Sequence, residues 1–256
     1  MSSPIVTLTT DWGESGFFAG MVKGKLYSMI SDVRVVDISH GLIPHDIVSA
    51  TFVIKNACMW FPKGTVHIID ILSEEHSSQG FVVVQAKGQY YLCSNHGLPY
   101  MVFGDEYDKA VEIRPYWNSP SYNFAAYDIY CPTAERLIEG VPLSEIGEEV
   151  PLYERRLPPY IVMGNLIKVH VWHIDGYGNA YLDMKYDEFM ELLGGRNFEM
   201  NIRGVIIKDI QVSYSDCERA ALTISSTGYL EVAIYMVRAV DILGIQLHSM
   251  IDIMIK

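Results

Sequence analysis

The hydrophobic rhythm of this chain changes once, at PLYERRLPP (151–159), and that change sets what the chain can fold into. Before it, short apolar runs alternate with segments of helical spacing, the pattern of parallel strands joined by crossover helices. Residues 5–10 read as a strand, after which Phe17, Phe18, Met21, Val22, Leu26, Met29 and Ile30 recur at helical spacing. A second strand covers Val33–Ile38. Asp46 is placed to cap a helix whose apolar face is Ile47, Ala50, Ile54, Ala57 and Cys58. Thr65–Ile71 reads as a buried strand, residues 81–86, 89–93 and 109–113 as short antiparallel additions, and Asp128–Ile138 as a helix closed by Gly140. Past the change the signals are strands, at Tyr160–Ile174, Val205–Val212, Ala220–Ile224 and Tyr229–Tyr235. One helix, Tyr186–Leu193, interrupts them and ends at Gly194-Gly195. The expected fold is an α/β N-terminal domain over 1–152 plus a smaller β-rich, barrel-like C-terminal domain over 160–256, joined by the Pro- and charge-rich stretch.

Several function classes are excluded by composition. The net charge is −12 and no cluster of Lys or Arg occurs, which argues against a nucleic-acid surface. No apolar run reaches the ~18 residues of a membrane span. The start, MSSPIVTLTTD, has neither the basic region nor the apolar core of a secretory signal. Cys58, Cys93, Cys131 and Cys217 are scattered without CxxC spacing, which fits a reduced, cytoplasmic setting. His67, His76 and His96 lack metal-ligand spacing, so no metal is expected. Neither GxGxxG nor GxxxxGK[ST] is present, which weakens a generic nucleotide-binding reading.

Two motifs carry chemistry. TLTTDWG delivers Asp11 from the end of a strand onto a glycine turn that feeds a helix, where open α/β sheets present ligand-binding groups. IDGYGN ends another strand in Asp175, Tyr177 and Asn179, an acid, an aromatic ring and an amide within five residues. Together they suit a sugar diol, a flat base and a charged tail. Each Asp also suits the plainer role of turn residue or helix cap.

Seven blocks occur in the order TLTTDWG…AGMVKG, VRVVDISHGLIPHDIVSATFVI, FPKGTVHI, NHGL, DIYCPTAERLIEG, IDGYGN and SSTGYLEVAI. In that order they resemble the S-adenosylmethionine hydroxide adenosyltransferases, relatives of the fluorinases and chlorinases, along nearly the whole chain. The resemblance implies an N-terminal α/β domain, a C-terminal β domain, and a homotrimer with the ligand between one subunit's N-domain and its neighbour's C-domain. It implies hydrolysis of S-adenosylmethionine to adenosine and methionine, with no cofactor beyond S-adenosylmethionine or adenosine as ligand. By the resemblance, Asp11 accepts from the ribose hydroxyls, Asp175 meets the methionine ammonium and Ser226 its carboxylate. Asn179 bonds the adenine edge, Tyr177 and Phe124 pack on its face, His45 stands against the base, and the backbone near Ala239 completes its recognition. Ordinary core packing is the other reading of Phe124 and Tyr177.

The chain also departs from the family. Hydrolytic members orient their water with an Asp and an Arg from a glycine-rich loop, and with a His. Here the strand that begins GTVHI runs into DILSEEHSSQG, the Asp position falls near Leu72 or Ser73, no Arg is present, and the His position aligns with Ala125. The usual Asp-Asn-Gly-Leu reads Asn95-His96-Gly97-Leu98, the Gly-Asn-Ala before the last helix reads Val237-Arg238-Ala239, and the second Asp of the first motif is Gly16. Two readings follow. Either turnover is weak, with Glu75 and His76 of the replacement loop as the available catalytic groups, or the protein binds the adenosyl ligand without catalysis.

Overall fold

The computed structural model describes residues 3–73, 80–114, 124–217 and 219–256. The chain divides into two compact units, Met1–Leu157 and Pro158–Lys256. The stretch before Pro158 is tied to the first unit: Leu152 is buried in its core, and Asn95 accepts from the Tyr153 N–H while donating to the Pro151 carbonyl.

In the first unit β1 (Ile5–Thr10) leads through α1 (Phe18–Met29) to β2 (Arg34–Ser39), and α2 (Ile47–Ala57) returns the chain to β3 (Val66–Asp70). Then come β4 (Phe81–Ala86), β5 (Gln89–Ser94), α3 (Leu98–Phe103), β6 (Lys109–Glu112), α4 (Cys131–Ile138) and α5 (Leu143–Ile146). The sheet order is β2-β1-β3-β5-β4-β6, parallel from β2 to β5, with β4 antiparallel to both its neighbours. Alternation along the strands feeds two cores. Val6, Leu8 and Ile68 pack with Val22 and Leu26 of α1 and Ala134 of α4. Ile69, Val82 and Val84 pack with Ala50 and Ile54 of α2 and Met101 of α3. Asp46 caps α2, its Oδ1 accepting from the Val48 and Ser49 N–H groups.

This order creates a switch point. From β1 the chain moves outward to β2, whereas after β3 it proceeds to the opposite side of the sheet. A crevice outside the carboxyl ends of adjacent strands at such a point is where open α/β sheets bind ligands. The helix expected from Asp128 begins earlier, as a π-helical turn over Ala126–Tyr130. Pro132 supplies no N–H to the carbonyl four residues back, so the standard ladder is interrupted where the π turn meets α4.

The second unit is β-rich. Its strands are β7 (Ile161–Met163), β8 (Leu166–Ile174), β9 (Ala180–Lys185), β10 (Phe198–Ile202), β11 (Val205–Ile207), β12 (Ile210–Gln211), β13 (Ala221–Ile224), β14 (Tyr229–Ala233) and β15 (Met250–Ile255). Among the described residues, the α-helices α6 (Tyr186–Leu193) and α7 (Ala239–Leu243) and a 3-10 turn at Tyr214–Asp216 complete it. The sheet runs β11-β10-β15-β8-β9-β14-β13-β12, with β7 paired to β8. Val169, Leu182, Phe189, Val232, Leu243 and Ile253 share its core. The single strand expected over Tyr160–Ile174 is a hairpin, because Gly164, at φ 61°, and Asn165 turn the chain between Met163 and Leu166. The strand expected over Val205–Val212 is likewise two short pieces.

Candidate active site

The carboxyl ends of β1, β2 and β3 converge on two carboxylates and an indole. Asp11 directly follows β1 and is half-buried. One of its oxygens, Oδ2, accepts from the His45 N–H at 2.8 Å. His45 is exposed and has φ 67°, a conformation uncommon for a residue with a Cβ; the bond to Asp11 helps to hold it. Asp70, the last residue of β3, is only 6% exposed. Its donors among the described residues are neutral: the Ser73 hydroxyl, the Trp12 indole and the Ala126 backbone N–H. Burial raises its carboxyl to about 6, and the nearby charge of Asp11 pushes the same way, against these hydrogen bonds. A carboxylate poised near neutrality in a strand-end crevice is suited to general acid–base work.

An aromatic wall stands beside this pair. Trp12 stacks on His40 at 5.7 Å and meets Phe124 edge-on at 5.2 Å, and Phe18 also meets Phe124 edge-on at 5.2 Å. Phe124 further stacks on Tyr127 at 6.1 Å, so it is one member of a half-buried cluster. Below, the buried Tyr130 hydroxyl lies 3.4 Å from Ser73 Oγ and 3.5 Å from Ser94 Oγ. Burial, the Asp70 charge and Cys93 all hold the phenol in its protonated form. His96 donates from Nε2 to the carbonyl of Ile71, one residue beyond Asp70, at 2.9 Å. Glu75 and His76 lie outside the described residues.

In the second unit, IDGYGN forms a tight turn organised by its own acid. Asp175 Oδ1 accepts from the Tyr177 and Asn179 N–H groups, both at 2.9 Å, and Oδ2 accepts from Asn179 Nδ2 at 3.1 Å. That last bond orients the buried Asn179 amide and leaves its oxygen as an acceptor. Tyr177 is 81% exposed, so its ring has no role in the core. Gly178 has φ 81°, and a Cβ there would come within 2.7 Å of the Arg238 Cβ. The bare backbone lets the start of α7 close on the turn, with the Val240 N–H donating to the Gly178 carbonyl and Arg238 Nη1 to that of Gly176. Asp175, Tyr177, Asn179 and the buried Ala239 therefore come together.

Ser226 does not join them. It is exposed at the β13–β14 hairpin, where Tyr229 pairs with Lys185 and the Tyr186 N–H reaches the Gly228 carbonyl. The Asp175 turn adjoins the other end of β9, and the five-residue step from Ala180 to Lys185 spans roughly 16 Å. Asp175 and Ser226 thus adjoin opposite ends of β9. Nearer the turn is a group that the sequence reading passed over. Tyr214 donates to the fully buried Glu231, and the charge of Asp175 acts on both.

Asp70 is the other residue missed. The sequence reading set the family's Asp position near Leu72 or Ser73 and so took the acid as lost, whereas Asp70 ends the strand itself. The signal was an apolar run, Val-His-Ile-Ile, closing on Asp.

Comparison with known proteins places the chain in a family. The sequence model of the SAM hydroxide adenosyltransferase N-terminal domain matches residues 6–147, and that of the C-terminal domain matches 169–252. A protein of Methanocaldococcus jannaschii named (R)-S-adenosyl-L-methionine hydrolase is 27% identical over 97% of this chain and 95% of its own. A fluorinase of Nocardia brasiliensis is 25% identical over 90% of each chain. An uncharacterised conserved protein from Thermotoga maritima has the same fold, with a TM-score of 0.88 at 23% identity over 98% of this chain and 99% of its own. With matches to both of the family's domains spread along its length, the chain belongs to the S-adenosylmethionine hydroxide adenosyltransferase family.

Proposed function

We propose that the protein hydrolyses S-adenosylmethionine to adenosine and methionine, with Asp70 as the carboxylate that positions and deprotonates the water. The observation that carries this reading is the buried Asp70 beside Asp11 at the switch point, with a carboxyl raised to about 6. Water attacks the 5′ carbon in line with the sulfonium. A C–O bond forms, the C–S bond breaks with its electron pair going to sulfur, and the water proton passes to Asp70. The leaving group needs no acid, because neutral methionine departs from a cationic sulfur. Positioning and removal of bulk water carry much of such a reaction.

In this reading Asp11 accepts from the ribose diol, which fixes the 5′ carbon. Asn179 offers its oxygen to the adenine amino group, Tyr177 covers the base, and His45 and Phe124 contribute from the first unit. The site forms between the N-terminal unit of one subunit and the C-terminal unit of the next in a homotrimer, in a reducing compartment that suits four buried free thiols. Turnover is slow, because Ala125 stands at the family's His position and the donors to Asp70 among the described residues, Ser73, Trp12 and Ala126, are uncharged. The loss of one positioned acid–base group typically costs about 10²–10⁴-fold.

Incubation with S-adenosylmethionine should release adenosine and methionine in equal amounts, and Asp70→Asn should abolish the release while leaving adenosine binding. Tight adenosine binding with no product from the wild type would instead identify a non-catalytic adenosyl-binding protein.

A further inference from the structure

Trp12 touches all three strand ends of the crevice. It follows Asp11 at the end of β1, its ring stacks on His40 just past β2, and its Nε1–H donates to Asp70 Oδ2 at the end of β3 at 3.1 Å. The ring has little freedom to turn. His40 lies parallel to it within 12°, and Phe124 closes its edge. His40 is itself fixed, with Nδ1 2.7 Å from Thr10 Oγ1 and Nε2 3.1 Å from Asp37 Oδ1, and Asp37 is paired with Lys23. The indole donor is thus aimed by a chain of contacts that runs back to α1.

We propose that Trp12 is the positioning residue for Asp70, its locked indole N–H holding the carboxylate in one orientation beside Asp11. The assignment deepens the hydrolase reading and rests on it for its catalytic meaning. Asp70 needs such a donor. Among the described residues, the ionisable groups that act on it are Asp11 after β1, Tyr130 of the π turn and Cys131 of α4, none of them cationic. Its remaining partners are the Ser73 hydroxyl and the Ala126 backbone N–H. Among the described residues such a carboxylate is held by neutral hydrogen bonds, and the indole is the one whose ring is clamped on two sides. Among natural side chains, only the indole fills that aromatic slot and presents an N–H at its far edge.

Trp12→Phe tests this, because it keeps an aromatic ring against His40 and Phe124 and deletes only the donor. With 13C-labelled aspartate in the full-length protein, the Asp70 carboxyl signal is assigned by its loss in Asp70→Asn. Its midpoint should lie near 6 in the wild type and move up by about one pH unit in Trp12→Phe, a tenfold change in ionisation. The acid limb of the kcat profile should move with it, and kcat should fall about tenfold while KM for S-adenosylmethionine changes little. An Asp70 midpoint that does not move in Trp12→Phe overturns the assignment. If Trp12→Phe fails to fold, the 15N indole signal of Trp12 in the unmodified protein takes its place. It should follow the Asp70 midpoint and lose that titration in Asp70→Asn; a signal that ignores Asp70 overturns the assignment. A midpoint shift in a protein that makes no adenosine supports the Trp12 assignment and fails the hydrolase reading alone.

Discussion

Replacing Asp70 by Asn should stabilise the protein at high pH while removing its activity. The ordinary carboxyl value is 3.8, and in the folded chain burial holds Asp70 at about 6. The folded state therefore binds this proton more tightly than the unfolded state. Protonation favours folding, so the group's contribution to stability falls as pH rises from below 4 through 6. The shift of about two units, at 1.36 kcal/mol each, makes the ionised Asp70 cost about 3 kcal/mol at pH 8. At pH 4.5 the unfolded carboxyl is still largely ionised while the folded one is protonated, and the cost is about 1 kcal/mol. Between these two pH values the wild type should lose about 2 kcal/mol relative to Asp70→Asn. Any constant penalty from turning an amide N–H toward the Trp12 or Ala126 donors cancels from this difference. Urea unfolding followed by tryptophan fluorescence measures it, since Trp12 and Trp60 both lie in the first unit. A difference between the two proteins that stays constant from pH 4.5 to 8 would show that Asp70 is neither buried as a charge nor poised near neutrality, and the catalytic assignment would go with it.

Other outcomes follow from the same geometry. Asp11→Ala should weaken adenosine binding by about 1.5–3 kcal/mol, the worth of hydrogen bonds to a charged group; calorimetry with unchanged affinity in a folded mutant would remove Asp11 from the site. Asp175→Ala deletes the acceptor of three hydrogen bonds and should cost about 1–3 kcal/mol of stability, read as a lowered melting temperature. An unchanged melting temperature would mean that the turn is held without its acid. Light scattering at micromolar concentration should give a trimer's mass, and a monomer would contradict a site shared between subunits.

Local chemistry made much of the fold readable. Asp46 is a cap because a short acid before an apolar helical run can satisfy its free N–H groups, and that is visible in sequence. The alternation of the first unit gave its strands and crossovers for the same reason. The strands β9, β10 and β15 were passed over, although Met250–Ile255 alternates exposed and buried along its whole length. Pairing register was less accessible. Nothing in SSTG or IDGYGN says that they adjoin opposite ends of β9, because pairing register depends on contacts that local sequence does not encode. Asp70 was missed for another reason. The family's Asp position was set in the loop at Leu72 or Ser73 and taken as empty, whereas the acid ends the strand itself, where burial raises its carboxyl.

The most direct test of the central claim is hydrolysis of S-adenosylmethionine in 18O-labelled water, with mass analysis of both products. Attack by water on the 5′ carbon predicts adenosine carrying one 18O in its 5′-hydroxyl and methionine carrying none. Unlabelled adenosine, label in methionine, or a thioether-bearing nucleoside in place of adenosine would contradict it.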